Sequence, residues 1–190
     1  TVSYYAYLSE NHTLCRDLYE RYISLYPEDA AGWNNLALSY KRTGDYDKEE
    51  QLYRVALSIE PDNSNTKNNL AVNLARQGRF NEARALMDQL DLKPEEVPYA
   101  ELHLAKISAA EGKDKRAYRH IKRALEMVNR MDTFHHIEFR QDIRVDPSFK
   151  RLRKQSKFRA LLEETYGAQS PLAIGQSNIF SAHQLYRING

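Results

Sequence analysis

The sequence predicts an all-α fold, an α-solenoid of helix–turn–helix hairpins finished by C-terminal capping helices. The pair Leu36-Ala37 recurs as Leu70-Ala71 and as Leu104-Ala105, and Gly44 recurs as Gly78 and Gly112, always at the same interval. A fixed period of that length marks stacked supersecondary units, each unable to bury its apolar face alone, rather than one globular core. Within a unit, Trp33, Leu36, Ala37 and Tyr40 fall at i, i+3, i+4 and i+7, the apolar stripe of a helix. Gly44 then stands where a helix needs a residue that tolerates the left-handed conformation. A second stripe, Tyr46, Leu52, Tyr53, Ala56, Leu57 and Ile59, ends at Pro61, which cannot continue a helix.

From the N-terminus, 13–26 reads as a second helix, because Tyr19 and Pro27 stand one full period before Tyr53 and Pro61. TVSYYAYLSE then ends a first helix, so 1–29 is a partial unit. A solenoid end calls for a polar cap, which Tyr4, Tyr5 and Tyr7 do not supply. The expectation is a truncated unit with further repeats upstream; the alternative is an unusual aromatic cap. Three units follow over 30–63, 64–97 and 98–130, with helices at 30–43, 46–59, 64–77, 80–91, 98–111 and 114–130. After Met131 the period fails. Residues 131–167 read as a helical cap of two short helices laid over the last unit, with Asp146-Pro147 as an N-cap followed by proline at the first helical position. The stretch 168–190, rich in Gly, Ser, Asn and Gln, reads as an irregular tail.

The repeated residues resemble the tetratricopeptide repeat (TPR) family. The first complete unit carries Trp33, Leu36, Ala37, Tyr40, Gly44, Tyr46, Tyr53, Ala56 and Pro61; the second Leu70, Ala71, Leu74, Gly78, Phe80, Ala83, Met87 and Leu90, with Pro94 one residue early. The third carries Leu104, Ala105, Ser108, Gly112, Ala117, Ile121 and Ala124. The resemblance implies a right-handed superhelix whose first helices line a concave groove. One position departs: Glu49 stands where Ala83 and Ala117 supply the small residue, and a carboxylate there is expected to tilt to the rim.

Composition narrows the function. The 190 residues are 42% hydrophobic and 28% charged with 7 Gly, which suits a helical protein of one domain. A formal net charge of +2 gives no bulk attraction to nucleic acid or membrane. The single cysteine, Cys15, excludes an intramolecular disulfide and is expected to be a buried, inert thiol. No apolar run approaches the ~20 residues of a membrane span. No signal peptide is visible, and the cytoplasm is the default compartment. No phosphate loop, nucleophile elbow or zinc-protease motif occurs. His135 and His136, with Glu138 nearby, point about 100° apart on a helix and do not converge on a metal. No enzyme activity, cofactor or metal is therefore expected.

Binding chemistry is better placed. Asn34 and Asn35 precede one Leu-Ala pair, Asn68 and Asn69 the next, and His103 takes the place in the third. Asparagine carries a donor and an acceptor, so a ladder of them can read the backbone of an extended peptide. The N-N-L-A string resembles the superhelical TPR region of O-GlcNAc transferase, which implies backbone gripping by Asn35 and Asn69. Leu38, Val72, Leu102 and Lys106 add side-chain pockets, and Arg42 and Arg76 add charge at the edge. Asn65, Asn69, Tyr99 and His103 occupy the places of the lysines and arginines in carboxylate-clamp repeats, which disfavours a chaperone-tail receptor. The competing reading is that these asparagines bond between adjacent helices without a ligand.

A second candidate surface is basic: Arg144, Lys150, Arg151, Arg153, Lys154 and Lys157, with Arg140 and Arg159 beside them. Such a run is ordinarily a solvated face; its functional alternative is a site for acidic or nucleic-acid ligands, with nucleic acid disfavoured because aromatic platforms are missing. The primary expectation is a non-catalytic adaptor or scaffold that binds a peptide segment of a protein partner in the concave groove. The rivals are binding through the basic region and self-assembly through the ends or tail, giving a homo-oligomer, with Ile174, Ile179, Phe180, Leu185 and Tyr186 able to fill a groove.

Overall fold

The computed structural model describes residues 11–41, 43–167 and 170–172. Expectations for the first ten residues, for Arg42 and for most of the tail lie outside these. Nine α-helices, three 3-10 turns and no strand occur among the described residues. The helices are α1 (His12–Leu25), α2 (Ala30–Tyr40), α3 (Tyr46–Ile59), α4 (Ser64–Arg76), α5 (Phe80–Met87), α6 (Val97–Ala110), α7 (Asp114–Glu126), α8 (Thr133–Val145) and α9 (Ser156–Tyr166).

Three hairpins, α2–α3, α4–α5 and α6–α7, stack in sequence as an α-solenoid, with α1 packed before them. The starts of α1 to α4 are set by capping side chains. Asn11, Asp29, Asp45 and Asn63 each accept a bond from a backbone N–H in the following turn, satisfying a donor that the helix leaves open. The tight turns are set by glycine: Gly44, Gly78 and Gly112 have φ of 79°, 80° and 82°, a left-handed conformation in which a Cβ is strained. At Gly78 the Arg79 N–H returns to the Leu74 carbonyl at 2.9 Å, and at Gly112 the Lys113 N–H returns to Ser108 at 2.8 Å. Both close the helix end in a Schellman turn.

Small and large side chains alternate in the stack. Ala37, Ala71, Ala105, Ala56, Ala83, Ala117 and Ala124 are fully buried, bringing helix backbones close, while Leu36, Leu70, Tyr53 and Ile121 fill the space between. Two apolar clusters result. One runs from Cys15 and Tyr19 through the first two hairpins; the other joins α6 and α7 to Phe139, Ile143, Phe149, Leu152, Phe158 and Leu162 of the closing segment. Burial raises the Cys15 thiol to about 11, a microenvironment in which it is a poor nucleophile.

Helix ends depart from the sequence reading where apolar spacing carries no stop signal. Helix α5 stops at Met87, short of the expected end at 91, and α7 gives way after Glu126 to a 3-10 turn at Val128–Arg130. Glu49 corrects the expectation of a rim carboxylate. It is 1% exposed, and its two oxygens accept from Tyr53 Oη at 3.1 Å and Asn73 Nδ2 at 2.9 Å. A partner from the next hairpin, rather than water, makes that burial tolerable.

Candidate functional site

The first helices of the three hairpins share one face, and the side chains expected in the groove meet there. Asn34 Nδ2 donates to Asn35 Oδ1 at 3.3 Å, and Asn69 Nδ2 donates to Asn34 Oδ1 at 3.2 Å. The other end of the Asn69 amide lies 3.2 Å from His103 Nε2, and His103 Nδ1 lies 2.8 Å from the Tyr99 carbonyl. One polar row thus crosses three hairpins. Asn69 is 7% exposed and His103 is fully buried; burial, with Lys106 close by, pushes the imidazole pKa well below its ordinary value.

A second row holds charge. Lys41, at the end of α2, donates to Asp142 Oδ1 of α8 at 3.2 Å, and Lys106 of α6 pairs with Asp142 Oδ2. Arg76, at the end of α4, donates to Asp146 Oδ2 at 2.7 Å. Cations from three successive units therefore converge on two carboxylates one helical turn apart, and none of these side chains is more than 8% exposed. Helix α8 accordingly reaches past the last unit to the first. Tyr99 Oη also donates to Glu138 Oε2 at 2.8 Å. Beneath α8, a narrow crevice lined by Lys41, Glu49, Tyr53, Asn69, Val72, Arg76, His103 and Lys106 leaves no room for a water molecule.

This dry setting moves the titrations. Burial lowers Lys106 to about 8 against the pull of Asp142. Burial alone would raise Asp146, but Arg76 and Lys106 hold it below the usual carboxylate range. Arg76 is stabilised as a cation by Asp146 and Glu49, which outweigh its own burial. Glu49 and Glu138 are both pushed up by burial, so the carboxylates of this cluster do not behave alike.

The remaining candidates divide. Leu38, Val72 and Leu102 are buried and Asn65 is exposed at the start of α4. Asn68 is 1% exposed and its Oδ1 has no hydrogen-bond partner. In the basic region, Arg151 is clasped to Asp114 at 2.9 Å and to the Ala109 carbonyl at 2.7 Å, which ties the cap to the third hairpin. Arg153 donates to the carbonyls of Ile143 and Asp146, and Arg144 is half-buried. Lys150, Lys154 and Lys157 are exposed, with Lys157 Nζ 3.9 Å from the Tyr118 ring centre.

Sequence reasoning missed Lys41, Asn73 and Glu138 as partners. It also gave Asp142 no role and Asp146 only that of an N-cap, although the spacing Phe139, Asp142, Ile143, Asp146 sets both carboxylates beside apolar core positions. His135 bonds Asp132 and His136 bonds Tyr166. Among the described residues no group of three or more His, Cys, Asp or Glu side chains is placed to hold a metal ion, and no helix is long and apolar enough to cross a membrane.

Two tetratricopeptide repeat family models match this chain, one over residues 18–51 and one over residues 44–107. A comparison with curated proteins returned no match.

Proposed function

We propose that this chain, which two tetratricopeptide repeat models match in part, is a non-catalytic adaptor whose concave first-helix face receives a peptide segment of a protein partner, in keeping with the protein–protein interactions such repeats generally mediate. One observation supports this reading above the others. The face already holds two carboxylates of its own chain, Asp142 and Asp146, by cations from three successive units. The first helices thus already hold a segment of this chain by side-chain contacts from successive units. With α8 in place over Lys41, Arg76 and Lys106, an outside segment is received beside it, along the half-buried Asn34 and Asn35 and the exposed Asn65.

This arrangement changes which asparagine reports on binding. Asn69 bridges Asn34 and His103, so its removal loosens the stack whether or not a ligand is present. Asn65 makes no such bridge. The test is selection of a peptide library on the full chain, followed by titration of the selected peptide against Asn65→Ala and Asn35→Ala. The expected result is affinity lower by about 1 kcal/mol for a lost groove hydrogen bond, with Tm unchanged for Asn65→Ala. Affinity unaffected by either substitution removes the groove from the account.

A further inference from the structure

The second helices of the three hairpins treat charge differently. Helices α3 and α5 hold three cations between them, Lys48, Arg54 and Arg84, against four carboxylates. Their arginines are answered within the chain: Arg54 donates to Glu50 at 2.6 Å, and Arg84 is paired with Glu111. Helix α7 holds five cations, Lys115, Arg116, Arg119, Lys122 and Arg123, against two carboxylates, Asp114 and Glu126, and all five cations are exposed. Asp114 is already taken by Arg151 at 2.9 Å. Glu126 stands 3.8 Å from Lys122, and Glu101 stands 3.7 Å from Arg123, both beyond hydrogen-bond reach. Among the described residues Lys115 and Arg119 form no ion pair.

These cations also crowd one another. Lys115, Arg119 and Lys122 fall at i, i+4 and i+7, so they share one stripe of the helix, where like charges repel. Tyr118 lies in the same stripe, and Lys157 Nζ of α9 stands 3.9 Å from its ring centre, adding a fourth cation. The outer faces of α3 and α5 neutralise themselves; the α7 stripe does not. We propose that this stripe, Lys115, Arg119 and Lys122 with Lys157, docks an acidic segment of a protein partner, whose Asp and Glu side chains supply the counter-charge that α7 lacks. Charge complementarity carries the proposal, and two observations select a peptide over a nucleic acid. The one ring in the stripe, Tyr118, is half-buried with a cation on its face, so it gives a base no platform. The whole chain has a formal net charge of only +2, so no bulk attraction gathers a long polyanion. The stripe lies on a second helix, apart from the first-helix face, and the adaptor reading of that face stands or falls without it.

The experiment is fluorescence anisotropy on the full chain with three labelled probes: a helical peptide with Glu at i, i+4 and i+7 of one face, the same peptide with Gln for each Glu, and a single-stranded oligonucleotide. At low salt the expected result is saturable binding of the Glu peptide, at least tenfold tighter than the Gln peptide, and lost at about 1 M salt, where the Debye length falls to about 3 Å. Lys115→Glu with Arg119→Glu and Lys122→Glu is expected to weaken that binding at least tenfold with Tm not lowered, since all three side chains are exposed. Lys48→Glu, at an exposed cation of α3, is expected to leave it unchanged. A Glu peptide that does not bind overturns the proposal, as does binding that the triple variant retains in full. Loss of binding in Asn65→Ala but not in the triple variant moves the peptide to the first-helix face and overturns it too. An oligonucleotide that binds more tightly than the Glu peptide, and is released by the triple variant, assigns the stripe to nucleic acid instead.

Discussion

The three hairpins over 30–126 and the closing segment over 133–154 are held by different forces. Within the hairpins, buried alanines let helices approach and leucines fill the gaps, so each unit touches chiefly its neighbours. The closing segment also contributes Phe139, Ile143 and Phe149 to an apolar cluster, but its long reach is ionic. Asp142 joins the first unit, through Lys41 at 101 positions away in sequence, to the third through Lys106, and Asp146 joins the second. A stack in which only neighbours interact comes apart piecemeal; a clasp across three units couples them. The difference teaches where cooperativity comes from in this chain.

The largest expected effect breaks the clasp. Asp142→Asn leaves buried Lys41 and Lys106 without their hydrogen-bonded carboxylate, and urea unfolding is expected to show a loss of about 3–5 kcal/mol, with the first unit loosening along with the cap. Replacing Lys41 and Lys106 with Met and Asp142 with Leu is expected to recover most of that loss, since apolar packing substitutes for a buried ion pair. If Asp142→Asn costs no more than an exposed charge does, the hairpins stand without the clasp.

Acid separates the two regions next. The Asp146 pKa is lowered in the folded chain, so the native state binds fewer protons there than the unfolded one, and stability rises with pH. Its contribution, on the order of 2 kcal/mol, is fully present above the ordinary aspartate range near 3.9 and is lost as pH falls toward about 2. Asp146→Asn is expected to remove this part of the acid limb in a series of unfolding curves. Glu49 and Glu138 have raised values and act in the opposite sense, so an unchanged limb assigns acid sensitivity to other carboxylates.

A smaller effect sharpens the hairpin side. Gly78→Ala places a Cβ at φ of 80° in open space, so the expected cost of about 1–2 kcal/mol comes from backbone strain alone. Lys122→Ala, on the exposed face of α7, is expected to cost under about 0.5 kcal/mol by the same measurement.

The hairpins are legible in the sequence because their signals are local. Leu36-Ala37, Gly44 and Pro61 each act within one or two helical turns, and the regular return of the first two exposes the architecture. The groove is legible as a strip of residues but not as a set of bonds. The mid-helix placement of Asn34, Asn35 and Asn69 shows that they face something, and distance alone shows that they face one another. The clasp is the least legible part. Lys41 and Asp142 are ordinary surface residue types, and nothing near either in sequence names a partner far along the chain. Glu49 is hidden for the same reason, because its acceptor needs are met by Asn73 of the next unit.

The central claim, that α8 ties the first unit to the last, is tested most directly by a double-mutant cycle on Lys41→Met and Asp142→Leu, read by urea unfolding of the full chain. The account predicts that the two losses are not additive, with a coupling of about 1–3 kcal/mol between residues so distant in sequence. Additivity within about 0.5 kcal/mol would mean that the two side chains do not act on each other, and the clasp would have to be abandoned.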